Sequence, residues 1–166
     1  MTIRVILRFP DPRLRLAAAP IVAFDETLAA LADELLAAMR AAPGIGITAP
    51  HIGVPLRLVV IELSTADGVR IYANPHIEWA SAERARHEEG SVSMPDVTET
   101  VERPARVRVR TQDLTGATRV EEADGLLAVC LQHEIDQLDG MFWIQRLSKL
   151  KRDRVIKRFE KMGRTG

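Results

Sequence analysis

Apolar residues recur at helical spacing in three stretches of the chain and predict three helices. The first stretch covers residues 25–41, with Asp25 as its N-cap. The second covers residues 124–140, and the third covers residues 148–163 with Ser148 as its cap. The second and third stretches each end at a glycine, the residue type that most often closes a helix.

Strand patterns fill the middle of the chain. Residues 56–63 and 69–75 are β-branched runs joined by a polar segment, which is typical of a hairpin. Residues 106–110 alternate strictly between arginine and valine and lead to a turn at 113–116. The order helix, strands, helix, helix predicts an α+β fold with antiparallel strands, in a single domain over residues 1–166.

Composition and charge narrow the function classes. The chain is 46% hydrophobic, and its 23 Lys and Arg balance 23 Asp and Glu, so no overall field would attract DNA or an anionic membrane. Cys130 is the single cysteine, which excludes an internal disulfide, and apolar runs are too short for a membrane span. We therefore expect a cytoplasmic protein with no DNA or membrane partner.

The second predicted helix carries part of a metal-binding signature. His133 and Glu134 are followed by Gln137, where the motif H-E-x-x-H would place a second histidine. Residues four apart share a helix face, so two histidines there would bind one metal ion. A lone His-Glu pair on an apolar helix is more often structural than metal-binding, so the pair alone decides little.

Three segments in a fixed order add to this pair. They are "GIGITAPHIG" (44–53), "EEGSVSMP" (88–95) and "ADGLLAVCLQHEIDQLDG" (123–140). Together they resemble the motifs G-x-G-x-A-A-x-Q, E-G-C-x-S and Q-H-E-x-D-H of the peptide deformylase family. The resemblance implies a peptide-deformylase-like fold, in which antiparallel strands surround a central HExxQ helix with N-terminal and C-terminal helices beside it. It also implies a metal-dependent hydrolase that removes the formyl group from N-terminal formyl-methionine of nascent chains.

The resemblance assigns roles to particular positions. Glu134 matches the catalytic acid/base and His133 matches a retained ligand of the family's iron or zinc. The oxyanion and substrate positions correspond to Ile45, Gly46, His51 and Val92. The framework positions are Gly44, Gly46, Glu89, Gly90, Ser93, Pro95, Gln132, Asp136 and Gly140.

The departures from the family pattern fall on the chemistry. Ser91 stands in place of the cysteine ligand, Gln137 in place of the second histidine, and His51 in place of the oxyanion glutamine. Thr98 occupies a position where family members often have an arginine that contacts substrate. If about 10–16 kcal/mol of zinc affinity is shared evenly by four ligands, losing two costs about 5–8 kcal/mol. We therefore expect no cofactor or a weakly bound divalent metal, and little or no deformylase activity.

Several alternatives remain open at this point. A relocated metal could use His51 and His133 with Glu134 or Glu89, giving an active deformylase or amidase; otherwise His51 is a solvated loop histidine. Without metal, a carboxylate could take up a proton, or Gln137 could hydrogen-bond Ser91. Cys130 is either a core residue or a replacement thiolate. Ser91 or Ser93 as a nucleophile would need a base within hydrogen-bond reach.

The C-terminal segment is basic. Its cations are Lys149, Lys151, Arg152, Arg154, Lys157, Arg158, Lys161 and Arg164. This resembles the helix by which some deformylases bind the ribosome, where rRNA phosphates would attract it. A solvated helix face, with Val155, Ile156, Phe159 and Met162 packed inward, explains the pattern equally well. The expected partners are the N-terminal peptides of nascent chains and the ribosome.

Overall fold

A computed structural model of the chain describes residues 3–165. Among these residues, seven strands follow the first of three helices and precede the other two, and short 3-10 helices lie at Pro12–Arg15, Ala49–Ile52 and Trp143–Arg146. The helices are α1 (Glu26–Ala41), α2 (Gly125–Leu138) and α3 (Lys149–Thr165). The strands are β1 (Gly46–Thr48), β2 (Leu58–Ile61), β3 (Arg70–Ala80), β4 (Arg84–Ser91), β5 (Met94–Pro104), β6 (Arg106–Gln112) and β7 (Thr118–Asp124).

The strands form two antiparallel sheets. Five of them pair in the order β1-β2-β3-β6-β7, and β4 pairs with β5 as a separate hairpin. The predicted hairpin is confirmed, since Val60 of β2 lies opposite Ile71 of β3. The alternating segment 106–110 is likewise a strand that turns back into β7. The predicted α+β class is therefore correct.

Strand β2 explains how two helices are placed on the five-stranded sheet. All four of its residues are buried. Leu58 and Val60 belong to the apolar cluster formed with α1, whereas Val59 and Ile61 belong to the cluster formed with α2. Because successive strand residues face opposite sides, the sheet separates α1 from α2, and a continuous apolar run is what such a strand requires.

Helix α2 is buried almost from end to end. Every residue from Ala128 to Leu138 is buried, including five polar or charged ones: Gln132, His133, Glu134, Asp136 and Gln137. A helix surrounded on all sides needs a partner for each polar side chain, because a buried unpaired group costs about 1–3 kcal/mol. Each of these five side chains is therefore expected to have a partner in the interior of the molecule.

The helix boundaries follow their predicted caps with one exception. The Asp25 side chain accepts a hydrogen bond from the Leu28 amide, and the Ser148 side chain accepts one from the Lys151 amide. The predicted end of α3 at Gly163 is wrong, because the helix continues to Thr165. Gly163 does not adopt a positive φ, so it does not close the helix.

Helix α3 packs on the β4–β5 hairpin side of the molecule. Val155 is fully buried, and Ile156 and Phe159 pack against the cluster that contains Val97. Met162, by contrast, is 40% exposed, so the expectation that it packs inward is wrong. Within residues 3–165, no helix is both long and apolar enough to cross a membrane.

Candidate functional site

A cavity of about 500 Å³ lies between α1, the β4–β5 hairpin and α2. We call it the cleft; it is lined by His51 and by parts of the segments 42–46, 88–98 and 126–134. All but one of the sequence-predicted site residues line it: Ile45, Gly46, His51, Ser91, Val92, His133 and Glu134. The exception is Gln137, which is buried elsewhere although it lies one turn after His133.

A network of ion pairs and hydrogen bonds holds the Nδ1 side of the His133 ring. Arg103 of β5 donates through Nε and Nη2 to the two carboxylate oxygens of Glu89, at 2.6 and 2.9 Å, and through Nη1 to Asp136 at 2.9 Å. Arg146 donates to both oxygens of Asp136 at 2.9 and 2.8 Å. Glu89 Oε1 lies 3.0 Å from His133 Nδ1. The chain Arg146–Asp136–Arg103–Glu89–His133 thus joins the hairpin to α2.

The network determines that the Nδ1 atom of His133 carries a proton, and its charges affect the pKa of the ring. Burial acts to raise the pKa of Glu89, but hydrogen bonds from His133 and Arg103 outweigh it and bring the pKa down to about 2. Glu89 is then an ionised acceptor at neutral pH, so His133 Nδ1–H donates to it. Burial lowers the pKa of His133, and the charges of Glu134 and Glu89 outweigh that effect and raise it. His133 Nε2 is the ring nitrogen that Glu89 does not use.

Glu134 is a carboxyl group without a partner on one oxygen. Its side chain is 4% exposed, and Oε1 is buried with no hydrogen bond among the described residues. Burial raises its pKa to about 7, against the opposing effect of His133. The raised pKa favours the protonated form, which is the direction that the expectation of a carboxylate taking up a proton requires.

His51 is fully buried, so its interpretation as a solvated loop histidine is wrong. The segment expected to be a loop forms β1 and a 3-10 helix, which carry His51 to the cleft wall. Its Nδ1 accepts from the Thr48 amide at 2.9 Å and lies 2.9 Å from Thr48 Oγ1. Burial and the neighbouring His133 lower its pKa to about 3. The ring is therefore neutral, with its proton on Nε2, and this Nε2 has no partner in the described structure.

The other two altered positions are occupied by structural contacts. Gln137 Nε2 donates to the Leu14 carbonyl at 2.7 Å, which ties α2 to the 3-10 helix Pro12–Arg15. Ser91 Oγ accepts from the Ser93 amide at 3.1 Å within the hairpin turn. The suggested Gln137–Ser91 hydrogen bond is therefore wrong, because each side chain already binds a nearer backbone group.

The two glycines of the first motif are required by close packing rather than by a turn, since neither has a positive φ. A Cβ on Gly46 would lie 2.6 Å from Glu134 Oε2. A Cβ on Gly44 would lie 2.6 Å from Val92 Cγ1. Glycine at these positions lets β1 and the residues just before it contact both α2 and the β4–β5 hairpin.

Two further alternatives find no support in the contacts. Cys130 is 6% exposed, and burial together with the charge of Glu134 raises the pKa of its thiol to about 12, as expected for a core cysteine. Neither Ser91 nor Ser93 has a hydrogen bond to a histidine among residues 3–165, so the base that a serine nucleophile needs is missing. Within the same range, no group of three or more His, Cys, Asp and Glu side chains is placed to hold a metal ion.

Sequence reasoning missed Arg103, Arg146, Thr48 and Leu14. Arg103 lies two residues after Val101 on the inward face of β5. Because a buried arginine needs a carboxylate partner, this position could have predicted one. Arg146 lies in a short 3-10 helix without any periodic signal. The contacts of Thr48 and Leu14 use backbone groups, which any sequence supplies.

Comparisons with known proteins agree with this geometry. The family model described as polypeptide deformylase matches residues 3–153. A protein from Brucella melitensis named peptide deformylase-like is 65% identical over 99% of this chain and 100% of its own length. A peptide deformylase from Afipia carboxidovorans is 47% identical over 97% of this chain and 96% of its own. The crystal structure of a peptide deformylase from Legionella pneumophila superposes with a TM-score of 0.92 at 39% identity, covering 99% of this chain and 97% of that one. The chain therefore belongs to the peptide deformylase family.

Proposed function

We propose that this protein binds the formylated N-terminus of nascent peptides in the cleft, holds no resident metal and hydrolyses the formyl group slowly or not at all. The observation that carries the proposal is a pair of unpartnered polar atoms in the cleft wall. His51 Nε2 and Glu134 Oε1 are both buried without a hydrogen bond among the described residues. A ligand that pairs with both removes two costs of about 1–3 kcal/mol each.

A formamide has the matching groups. Its carbonyl oxygen is an acceptor for His51 Nε2–H, and its N–H is a donor for the Glu134 carboxylate. His51 then takes the donor role that the resemblance gives to the oxyanion glutamine. Ile45, Val92, Leu126 and Val129 supply an apolar wall for the first side chain of the peptide.

The contacts at the altered positions support a site without a resident metal. The Gln137 amide is directed to Leu14 and away from the cleft, and Ser91, which lines the cleft, offers a neutral hydroxyl that already accepts from Ser93 in place of a thiolate. The remaining donors do not fit the tetrahedral centre of thiolate and imidazole ligands that the resemblance implies. No step of the proposed function therefore passes through a metal ion.

The absence of such a centre limits the chemistry of Glu134. Metal coordination lowers the pKa of water from 15.7 to about 7, and without it the gap to a carboxylate stays large. Even with a pKa of about 7, Glu134 remains far too weak a base to generate hydroxide. Binding without efficient hydrolysis is the expected result.

The alternative is an active deformylase or amidase with a metal relocated to His51 and His133. A metal on His51 Nε2 would require the proton to move to Nδ1, where it would face the Thr48 amide at 2.9 Å. Two N–H groups would then oppose each other in a buried site, which argues against this alternative. Metal uptake that His51→Ala abolishes would favour relocation, whereas uptake that His51→Ala leaves unchanged would exclude it.

Calorimetric titration tests the proposed function directly. We expect formyl-Met-Ala-Ser to bind in the presence of chelator at least about tenfold more tightly than Met-Ala-Ser, since one matched hydrogen-bonding group contributes about 1.4 kcal/mol or more. His51→Ala should remove this preference, and His76→Ala, an exposed histidine on β3, should not. Amine release measured in the same samples should remain near the buffer rate. Equal affinity for the two peptides would contradict the proposal.

The proposal also assigns the basic helix α3 to the ribosome. Val155 fixes one face on the protein, and Lys151, Arg154 and Lys157 are exposed without a recorded ion pair. Lys151→Glu with Lys157→Glu should reduce co-sedimentation with ribosomes and its salt dependence. Arg84→Glu with Arg119→Glu, on exposed strands, is the control with the same charge change. Equal retention of both variants would contradict this assignment.

A further inference from the structure

The mouth of the cleft has two chemically different sides. On the hairpin side, the exposed lining residues are Glu88, Asp96 and Thr98. On the opposite side they are Ala42, Pro43, Ile45 and Leu126, all apolar. Among the described residues, no lysine or arginine lines the cleft. A ligand leaving the cleft therefore passes two carboxylates that no cation of the lining neutralises.

A hydrogen bond holds the Glu88 carboxylate at this rim, and the backbone of β5 places Asp96 there. Thr98 Oγ1 donates to Glu88 Oε1 at 2.7 Å, a hydrogen bond between neighbouring strands that fixes one oxygen and leaves the other for a ligand. Asp96 has a positive φ of 68°, a conformation that Asp tolerates better than most residues. Its side chain has no recorded hydrogen bond or ion pair in the described structure. Thr98 stands where the family resemblance predicts an arginine, and its hydroxyl orients the carboxylate of Glu88.

Arg158, a cation of α3, contacts the strand that forms this rim but is directed away from the cleft. Arg158 Nη2 donates to the Thr98 carbonyl at 3.0 Å and lies 3.5 Å from Glu99 Oε2. Arg158 does not line the cleft, and Glu99 offsets its charge. The rim therefore keeps the negative charge of Glu88 and Asp96.

We propose that the cleft selects peptides with a lysine or arginine shortly after the N-terminal residue. This inference rests on the proposed function, because the buried His51 and Glu134 atoms must first hold the terminal formyl group. With that group at the closed end, the following residues run outward past Glu88 and Asp96. The acidic rim then attracts a basic side chain and repels an acidic one, so the discrimination has both an attractive and a repulsive part.

The expected effect on peptide affinity is modest, because the interacting charges are exposed to water. One exposed pair changes an equilibrium constant by up to about fivefold, and adding repulsion of the wrong charge doubles the effect on the free energy scale. We therefore expect a difference of up to about 25-fold between a basic and an acidic peptide at low salt. The difference should shrink as salt screens the rim.

The experiment titrates the full chain with three formylated peptides, formyl-Met-Lys-Lys-Ala, formyl-Met-Gln-Gln-Ala and formyl-Met-Glu-Glu-Ala. The expected order of affinity is lysine, glutamine, glutamate. Glu88→Gln with Asp96→Asn should bring the lysine and glutamate peptides to within about twofold of each other. Glu102→Gln is the matched control, since it removes a carboxylate from the same hairpin without touching the cleft, and it should leave the order unchanged.

Three results would overturn the inference, and they differ in whether the proposed function is refuted as well. Equal affinity of the wild-type chain for all three peptides, with formyl preference retained, would refute rim selection and leave the proposed function standing. Failure of all three peptides to bind would refute the proposed function and the inference together. An order that the double variant leaves intact would assign the selection to other residues and equally refute the role of Glu88 and Asp96.

Discussion

The two ends of the HExxQ turn in α2 differ in what surrounds them. At one end, His133 keeps a complete set of supporting contacts through Glu89, Arg103 and Asp136. At the other end, Gln137 does not line the cleft and donates a hydrogen bond to the Leu14 carbonyl. His133 is thus held by a side-chain network in the cleft wall, whereas Gln137, one turn later, serves a backbone contact outside the cleft.

The difference is explained by what each contact holds. The network around Arg103 joins β4, β5, α2 and the segment of Arg146, and the side chains of Arg103, Glu89 and Asp136 are buried while Arg146 is partly exposed. Removing one member would leave a buried charge without a partner, which is strongly destabilising. Gln137 and Ser91 are neutral and each hydrogen-bonds a backbone group, so replacing either leaves no buried charge without a partner.

The largest effect is expected from restoring the altered positions together. Ser91→Cys, Gln137→His and His51→Gln in one chain should raise zinc affinity by about 5–8 kcal/mol, which is about 10⁴- to 10⁶-fold. Competition with a fluorescent zinc chelator measures the change, with Ser91→Cys alone as the control. Recovered hydrolysis of formyl-Met peptides would locate the loss in these three residues. Bound zinc without hydrolysis would instead implicate the substrate cleft, with Thr98 the first residue to test.

A large loss of stability is expected when the network is broken. Arg103→Met leaves Glu89 and Asp136 buried with fewer partners, so the free energy of unfolding should fall by about 3–5 kcal/mol in urea titrations. Arg106→Met breaks an exposed pair with Glu83 and should cost less than about 1 kcal/mol. Similar losses in the two variants would show that the network is not the stabilising element.

An intermediate effect is expected at the contact between β1 and α2. Gly46→Ala places a methyl group 2.6 Å from Glu134 Oε2, which must move. The overpacking should cost about 1–3 kcal/mol of stability and abolish the preference for formylated peptide. Gly163→Ala, where the added Cβ has open space within helix α3, should not lower stability and should leave the preference unchanged.

The smallest effect is expected from Gln137. Gln137→Met keeps the volume but leaves the Leu14 carbonyl unpaired, so stability should fall by about 1–2 kcal/mol while peptide binding is unchanged. Differential scanning calorimetry and titration with formyl-Met-Ala-Ser measure the two quantities. A loss of peptide binding at wild-type stability would place Gln137 in the cleft after all.

The sequence predicted the fold well where the apolar pattern was long or strictly periodic. All three helices, the β2–β3 hairpin and β6 were found from periodicity and caps. Strands β4, β5 and β7 were missed because charged residues interrupt their alternation, and β1 because it spans only three residues. Their positions depend on pairing with distant strands, which local patterns do not encode.

The candidate site was predictable in its membership but not in its hydrogen bonds. Seven of the eight candidate site residues line the cleft. The burial of His51, its tautomer and the direction of Gln137 depend on Thr48 and Leu14, whose contributions are backbone groups or lie far away in sequence. Such partners are set by the tertiary fold.

The most direct test of the central claim is the metal content of untagged protein purified under nitrogen, before and after soaking in iron, nickel and zinc. Elemental mass spectrometry after dialysis gives the number of ions per chain. Because the cleft offers one well-supported imidazole and no thiolate, we predict far less than one tightly held ion per chain under every condition. About one ion per chain that survives dialysis and is lost in His51→Ala would contradict the claim and establish a relocated metal centre.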